Sequence, residues 1–160
     1  MDGRSIRPAR PRDAATWLRL RCALWSEGTA REHQEDIDRF FAGKAREPSA
    51  VLLAEEAGGQ IVGFAELSIR ACAEGCDTDR VAFLEGWFVV PDARGRGVGR
   101  ALVAAAEDWG RQQGCREFGS DAEAANHVIA AAHRALGFTE VGLLRCFRKD
   151  LVTPGANGPE

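Results

Sequence analysis

Tyrosine is absent from this 160-residue chain, so its chemistry has to proceed without a phenol as acid or base. A basic excess is missing as well. Lys and Arg number 21 against 24 Asp and Glu, a net charge of −3, which argues against a nucleic-acid partner because neutralising phosphates takes a basic face. No apolar run nears the about twenty residues that span a bilayer, so no membrane partner is expected. The opening MDGRSIRPARPRD lacks the apolar core of a secretory signal, and a cytoplasmic location is expected. Five cysteines (Cys22, Cys72, Cys76, Cys115 and Cys146) make an odd number with no C-x-x-C pair. Cys72 and Cys76 share a polar loop, but no histidine stands near them in sequence, so no metal is expected. With 45% hydrophobic and 28% charged residues, the composition is that of a globular chain long enough to bury a core. One domain over residues 1–152 is expected, followed by a disordered tail, TPGANGPE, at 153–160.

What is present reads as helices and strands in alternation. Residues 5–7 suit a short first strand. Asp13 stands as N-cap to a helix reaching about Trp25, with Trp17, Leu20 and Leu24 beside Leu18 and Cys22 at helical spacing. Thr29 and Glu32 have capping-box spacing, and Ile37, Phe40 and Phe41 extend the apolar face of a second helix. Strand-like runs at 50–55 and 60–69 meet at Ala57-Gly58-Gly59, a hairpin signal, and a polar loop follows at 71–80. A strand at 83–90 ends in Pro91-Asp92. Later elements are a short strand at 117–120, a helix at 124–136 and a closing strand at 141–147.

The stretch from Phe83 to Arg100, FLEGWFVVPDARGRGVGR, organises the chain. Gly95, Gly97 and Gly99 lie among Arg94, Arg96 and Arg100, directly before a helix marked by Val98, Leu102, Val103, Ala106 and Trp109. A glycine loop opening into a helix N-terminus presents unpaired N–H donors and partial positive charge, which suits phosphate. The spacing is not that of a P-loop, since no Lys-Ser/Thr follows the last glycine. Nor is it a dinucleotide fingerprint, which needs GxGxxG after a first strand rather than GxGxG in mid-chain.

Residues 94–100 resemble the Arg/Gln-x-x-Gly-x-Gly/Ala signature with which the GCN5-related N-acetyltransferase superfamily holds the pyrophosphate of acetyl-CoA. The preceding Val-Pro and the downstream Leu136-Gly137-Phe138 strengthen the likeness. LRCALW at 20–25, the loop EGC at 74–76, LEG at 84–86 and SDA at 120–122 narrow it to the bacterial aminoglycoside 6'-N-acetyltransferases, over nearly the whole chain. The resemblance implies an α/β (α+β) single-domain acetyltransferase fold. It has a mixed central sheet flanked by helices, with the pyrophosphate loop between the central strand and the next helix. It also implies acetyl-CoA as co-substrate, a polycationic aminoglycoside as acceptor and a homodimer.

Candidate residues follow from the same match. Arg94, Gly95, Arg96, Gly97, Val98, Gly99 and Arg100 would hold the pyrophosphate. Trp87, Phe88 and Val89 would offer backbone groups to the pantetheine arm and thioester carbonyl, and Asn126 would contact the cofactor unless it is only an N-cap. For the drug the candidates are Trp25, Glu74, Glu85 and Asp121, the last two also as catalytic groups. An acid inside an apolar strand, as Glu85 is, needs a reason, because an unpaired buried carboxylate is costly; the alternative is a Glu on the solvent face. Asp121 reads equally as a turn or helix cap, Trp25 as packing, and Glu74 as a solvated loop acid. The other acids, such as Glu27, Glu35 and Asp77, read as solvated surface or as a rim for a cation.

Two departures from the family stand out. Relatives often use a tyrosine to protonate the leaving thiolate, and here Cys72 and Ala73 occupy the loop where one usually stands. Water is the expected donor, with Cys146 as the alternative, and no role is assigned to His33, His127 or His133. Gly142 replaces a usual acidic drug contact. Besides aminoglycoside acetylation, two readings stay open: acetylation of another small polyamine or a protein amine, and a non-catalytic acyl-CoA-binding module.

Overall fold

The structure, a computed structural model, describes residues 3–151; the tail expected at 153–160 lies outside them. Five strands form one sheet in chain order: β1 (Ser5–Pro8), β2 (Ala50–Glu55), β3 (Ile61–Arg70), β4 (Val81–Val89) and β5 (Glu117–Ser120). The first three pairings are antiparallel and β4–β5 is parallel, so the sheet is mixed, as expected. The parallel step requires a crossover, which α3 (Val98–Gln112) supplies.

Strand alternation gives the sheet two apolar faces. Val51, Leu53, Ile61 and Phe64 pack with Trp17, Leu20 and Ile37 of α1 (Ala14–Leu24) and α2 (Ala30–Phe41). Leu52, Ala54, Val62, Ala65, Leu67 and Leu84 pack on the other face against Val98, Leu102, Val103 and Ala106 of α3. Both faces are covered because β2 and β3 are apolar at nearly every position, unlike strands with one wet side. Trp17 is fully enclosed, with Phe40 and Phe41 edge-on to its ring at 5.2 and 5.8 Å. At about 1.5–3 kcal/mol for each large side chain buried, this cluster is what ties α1 and α2 to the sheet.

The capping box at α2 forms as expected: Thr29 Oγ1 accepts from the Glu32 amide, and Glu32 accepts from the Thr29 amide. Three other expectations need correction. Asp13 precedes α1 but makes no side-chain cap to it. Its carboxylate instead accepts from Arg7 and from the Arg10 amide, and the Arg7 guanidinium holds its pKa below the usual range. The helix expected from residue 124 begins later, as α4 (His127–Ala135), because Asn126 caps it by accepting from the Ile129 amide. The closing strand expected at 141–147 does not form. Residues 139–151 have no regular structure, and Leu143, Leu144 and Phe147 are exposed. Extended apolar patterning needs a partner edge to become a strand, and among the described residues this segment pairs with none.

Candidate active site

The site begins with a fork in the sheet. Parallel pairing of β4 with β5 runs from Val81–Glu117 to Leu84–Ser120 and stops there. β4 continues to Val89 bonded to β3 alone, so the alternate peptide groups of residues 85–89 that point away from β3 have no strand beside them. One layer of extended ligand can take the place of the missing strand.

The glycine loop lies past the far end of that opening. Gly95 and Gly97 have φ of +72° and +79°, in the left-handed region that favours glycine, and a Cβ on either would point into open space. Gly97 is the N-cap of α3. Among the described residues, the amides of 95–99 donate no turn, loop or cap hydrogen bond. That is a cradle of free N–H groups at a helix N-terminus. The arginines around it are tethered: Arg94 donates to the Val89 carbonyl, Arg96 pairs with Glu56 at 3.2 Å, and Arg100 donates to the Ala135 carbonyl of α4. Gly99 has a different reason for its small size, since a Cβ there would come within 2.7 Å of the Trp87 ring.

At the near end of the fork, β4 carries a bulge. Gly86 pairs with Glu66 and Leu84 with Leu67, so Glu85 is an extra residue in the ladder. The bulge turns Glu85 to the α1/α2 side of the sheet. There it accepts from Ser68 Oγ and, in a two-pronged pair, from Arg70 Nε at 3.0 Å and Nη2 at 2.6 Å. Arg70 also lies over the Phe83 ring at 3.6 Å. Glu85 is therefore half-buried and already paired, not a free acid. Asp121, just beyond β5, is exposed, has no hydrogen-bond or ion-pair partner among the described residues, and is near enough to Arg70 to favour its charge. Asp121 does not cap α4; Asn126 does.

Trp25 closes this side. Its ring lies directly over Gly86, where any Cβ would collide with it, stacks on His33 at 6.4 Å and meets Phe64 edge-on. His33 holds it further through a 3.0 Å contact between Nε2 and the Trp25 carbonyl. Arg21 lies against the same ring at 5.1 Å and pairs with Glu66 at 3.0 Å and Asp36 at 3.3 Å. Glu74 is exposed in the loop at 71–80. Glu117 fixes that loop by accepting from the Asp77 and Thr78 amides, which lower its pKa after the larger contribution of the Thr78 hydroxyl. Asn126 uses its side-chain oxygen in the cap, and its NH2 has no partner among the described residues.

Glu66 is the one deeply buried acid here. It accepts from Trp17 Nε1 at 2.9 Å, but Arg21 Nε, although at ion-pair distance, finds no aligned hydrogen bond. Burial dominates and pushes the carboxyl up to about 7, against the pull of Arg21 and Trp17. Its folded pKa thus lies above the unfolded value of 4.5. As pH rises from 4.5 to about 7 the unfolded chain loses this proton first, so stability falls across that window. Glu66→Gln removes that contribution. Denaturant midpoints of the variant, measured at steps from pH 4.5 to 7.5, should fall less steeply than those of the wild type; parallel curves would contradict the shift.

Sequence reasoning missed Glu66, Ser68 and Arg70. Their signal was a polar residue at every second position of an otherwise apolar strand, which places all three on the face of the bulged Glu85.

A model of the acetyltransferase (GNAT) family matches residues 16–138. The chain belongs to that family. It is 55% identical over 146 residues to an aminoglycoside N(6')-acetyltransferase type 1 of Klebsiella aerogenes, covering 91% of this chain and 96% of the relative. A solved aminoglycoside N-acetyltransferase, AAC(6')-Iy in complex with CoA, superposes with a TM-score of 0.86 at 36% identity, covering 94% of this chain and 97% of that one. The same enzyme with the bisubstrate analog CoA-S-monomethyl-acetylneamine gives a TM-score of 0.84 at 37% identity, covering 92% and 99%. No helix of the described residues is long and apolar enough to cross a membrane, and no group of three or more His, Cys, Asp and Glu among them is placed to hold a metal.

Proposed function

We propose that the chain transfers the acetyl group of acetyl-CoA to the 6'-amino group of aminoglycosides and thereby confers resistance to them. The observation that carries this reading is the fork between β4 and β5, with an amide-rich loop at one end and an acidic, aromatic wall at the other. Acetyl transfer needs both: an anchor for a phosphate-bearing donor, and carboxylates that hold a cationic acceptor next to the thioester.

In this reading the backbone of residues 95–100 binds the pyrophosphate, while Arg94, Arg96 and Arg100 brace the loop and add counter-charge. The unpaired edge of β4 at Trp87, Phe88 and Val89 takes the pantetheine arm as a strand would, and the free NH2 of Asn126 faces the cofactor. Trp25 stacks on a sugar ring, and Glu74 adds negative charge at the loop. Asp121 leads recognition of the drug's ammonium groups because its charge is unmet, whereas Glu85 shares its charge with Arg70. Water carries the proton away from the amine, which must be neutral to attack.

We further propose that a second copy of the chain covers residues 139–151. Val141, Leu143, Leu144, Phe147 and Leu151 are between 62% and 91% exposed, and β5 is an edge strand with β4 as its one partner among the described residues. Sedimentation at micromolar concentration should give the mass of a dimer; a monomer would refute it. The function itself is tested by thiol release from acetyl-CoA with paired 6'-amino and 6'-hydroxy aminoglycosides, polyamines and peptides. Turnover with the 6'-amino drugs alone supports the reading, and turnover confined to polyamines or peptides overturns it.

A further inference from the structure

We propose that Ser120 and His133 form the proton relay that serves the departing thiolate, in the role a tyrosine would otherwise take. This rests on the acetyl-transfer reading above. Ser120 is the last residue of β5 and pairs with Leu84; its hydroxyl stands at the vertex of the fork, where it donates to the Leu84 carbonyl over a long 3.4 Å that a nearby thiolate would outcompete. His133 Nε2 lies 2.8 Å from Ser120 Oγ, and His133 Nδ1 lies 2.8 Å from the Ile129 carbonyl. A carbonyl only accepts, so Nδ1 carries a hydrogen and Nε2 is the nitrogen that gains or loses the mobile proton.

The ring is also fixed from both sides. Trp87 of β4 meets it edge-on at 5.9 Å and Phe138 at 5.1 Å. Trp87 belongs to the stretch of β4 that β5 leaves unpaired, so its contact places the half-buried His133 ring beside the fork. Packing alone requires neither an imidazole nor a hydroxyl aligned on it. Other candidates fall short: Cys146 lies in the segment without regular structure and Cys72 is exposed, neither with a hydrogen-bond partner among the described residues, and Glu85 is tied to Arg70 on the opposite face of the sheet.

The step balances with water as the only other participant. As the tetrahedral intermediate collapses, the C–S bond breaks and its electron pair remains on sulfur. Sulfur takes the Ser120 hydroxyl proton, Ser120 Oγ takes the Nε2 proton of the imidazolium, and His133 is left neutral. Nε2 then regains from water the proton that the amine nitrogen gave up to water. Throughout, the Nδ1–H bond to Ile129 stays intact and keeps the ring from turning.

His133→Gln should lower kcat by about a hundredfold or more, the low end for losing general acid–base assistance, with acetyl-CoA affinity within about threefold of wild type. Ser120→Ala should fall similarly and Ser120→Thr, which keeps a hydroxyl, should recover to within about tenfold. The solvent deuterium isotope effect on kcat should differ between wild type and both relay variants, a change that a packing role would not produce. Cys146→Ala should lose less than about tenfold. If His133→Gln does not fold, Ser120→Ala with its Thr rescue decides the matter alone. The proposal is overturned if the folded variants stay within tenfold of wild type, if their isotope effects match it, or if Cys146→Ala loses several hundredfold. A wild type that acetylates no amine would refute the functional reading instead, whereas an active wild type beside active variants refutes the relay only.

Discussion

Gly97→Asp is expected to abolish acetyl-CoA binding while leaving a folded protein. Gly97 has φ of +79°, where a residue with a Cβ is strained by about 1–2 kcal/mol. A side chain there meets no protein atom within 4 Å, so the fold has room for it. The ligand does not. The new carboxylate would stand at the N-cap of α3, among the free amides of 95–99, and would repel a pyrophosphate of the same sign while offering those amides an internal acceptor. Calorimetric titration of the variant, with its circular dichroism and melting curve as folding controls, should show acetyl-CoA affinity reduced more than about a hundredfold. Affinity within threefold of wild type would remove the loop from the cofactor site.

Asp121→Asn should act on the opposite substrate. The change keeps shape and removes one negative charge from an exposed carboxylate that has no partner among the described residues. No internal ion pair is broken, so stability should be close to wild type. A charge-assisted hydrogen bond to an ammonium contributes about 1.5–3 kcal/mol, so kcat/KM for aminoglycosides should fall by about ten- to a hundredfold, with acetyl-CoA affinity unchanged. Glu85→Gln is a less clean probe, because it also frees Arg70, whose side chain is 33% exposed and lies over Phe83. Wild-type kinetics for Asp121→Asn on every amine would take Asp121 out of drug recognition.

Much of this was legible in the sequence, for reasons that differ between elements. The loop-to-helix step could be read because clustered glycines stood directly before an apolar helical period, and Gly95 and Gly97 do take positive φ just before α3. Thr29 and Glu32 gave the start of α2 through a local rule that tertiary context did not override. What stayed hidden was non-local. The bulge that aims Glu85 depends on how β3 and β4 register, and a sequence does not say which strand gains a residue. Arg70 as the partner of Glu85, and Ser120 with His133, each join residues that only the folded sheet brings together. The missing strand at 141–147 is the converse case: its apolar pattern is real, but among the described residues the segment pairs with no strand edge, and pairing is not written in a local pattern. His133 looked like one more helix residue because its partners, Ser120 and Trp87, come from other elements.

The central claim is that the fork delivers an acetyl group to the 6'-amine of an aminoglycoside. Its most direct test is the position of the acetyl group in the product, determined by NMR after incubating the protein with acetyl-CoA and an aminoglycoside that carries several amines. A single product with the new amide at the 6' nitrogen is expected. Acetylation at any other amine, or a mixture of positions, would contradict it.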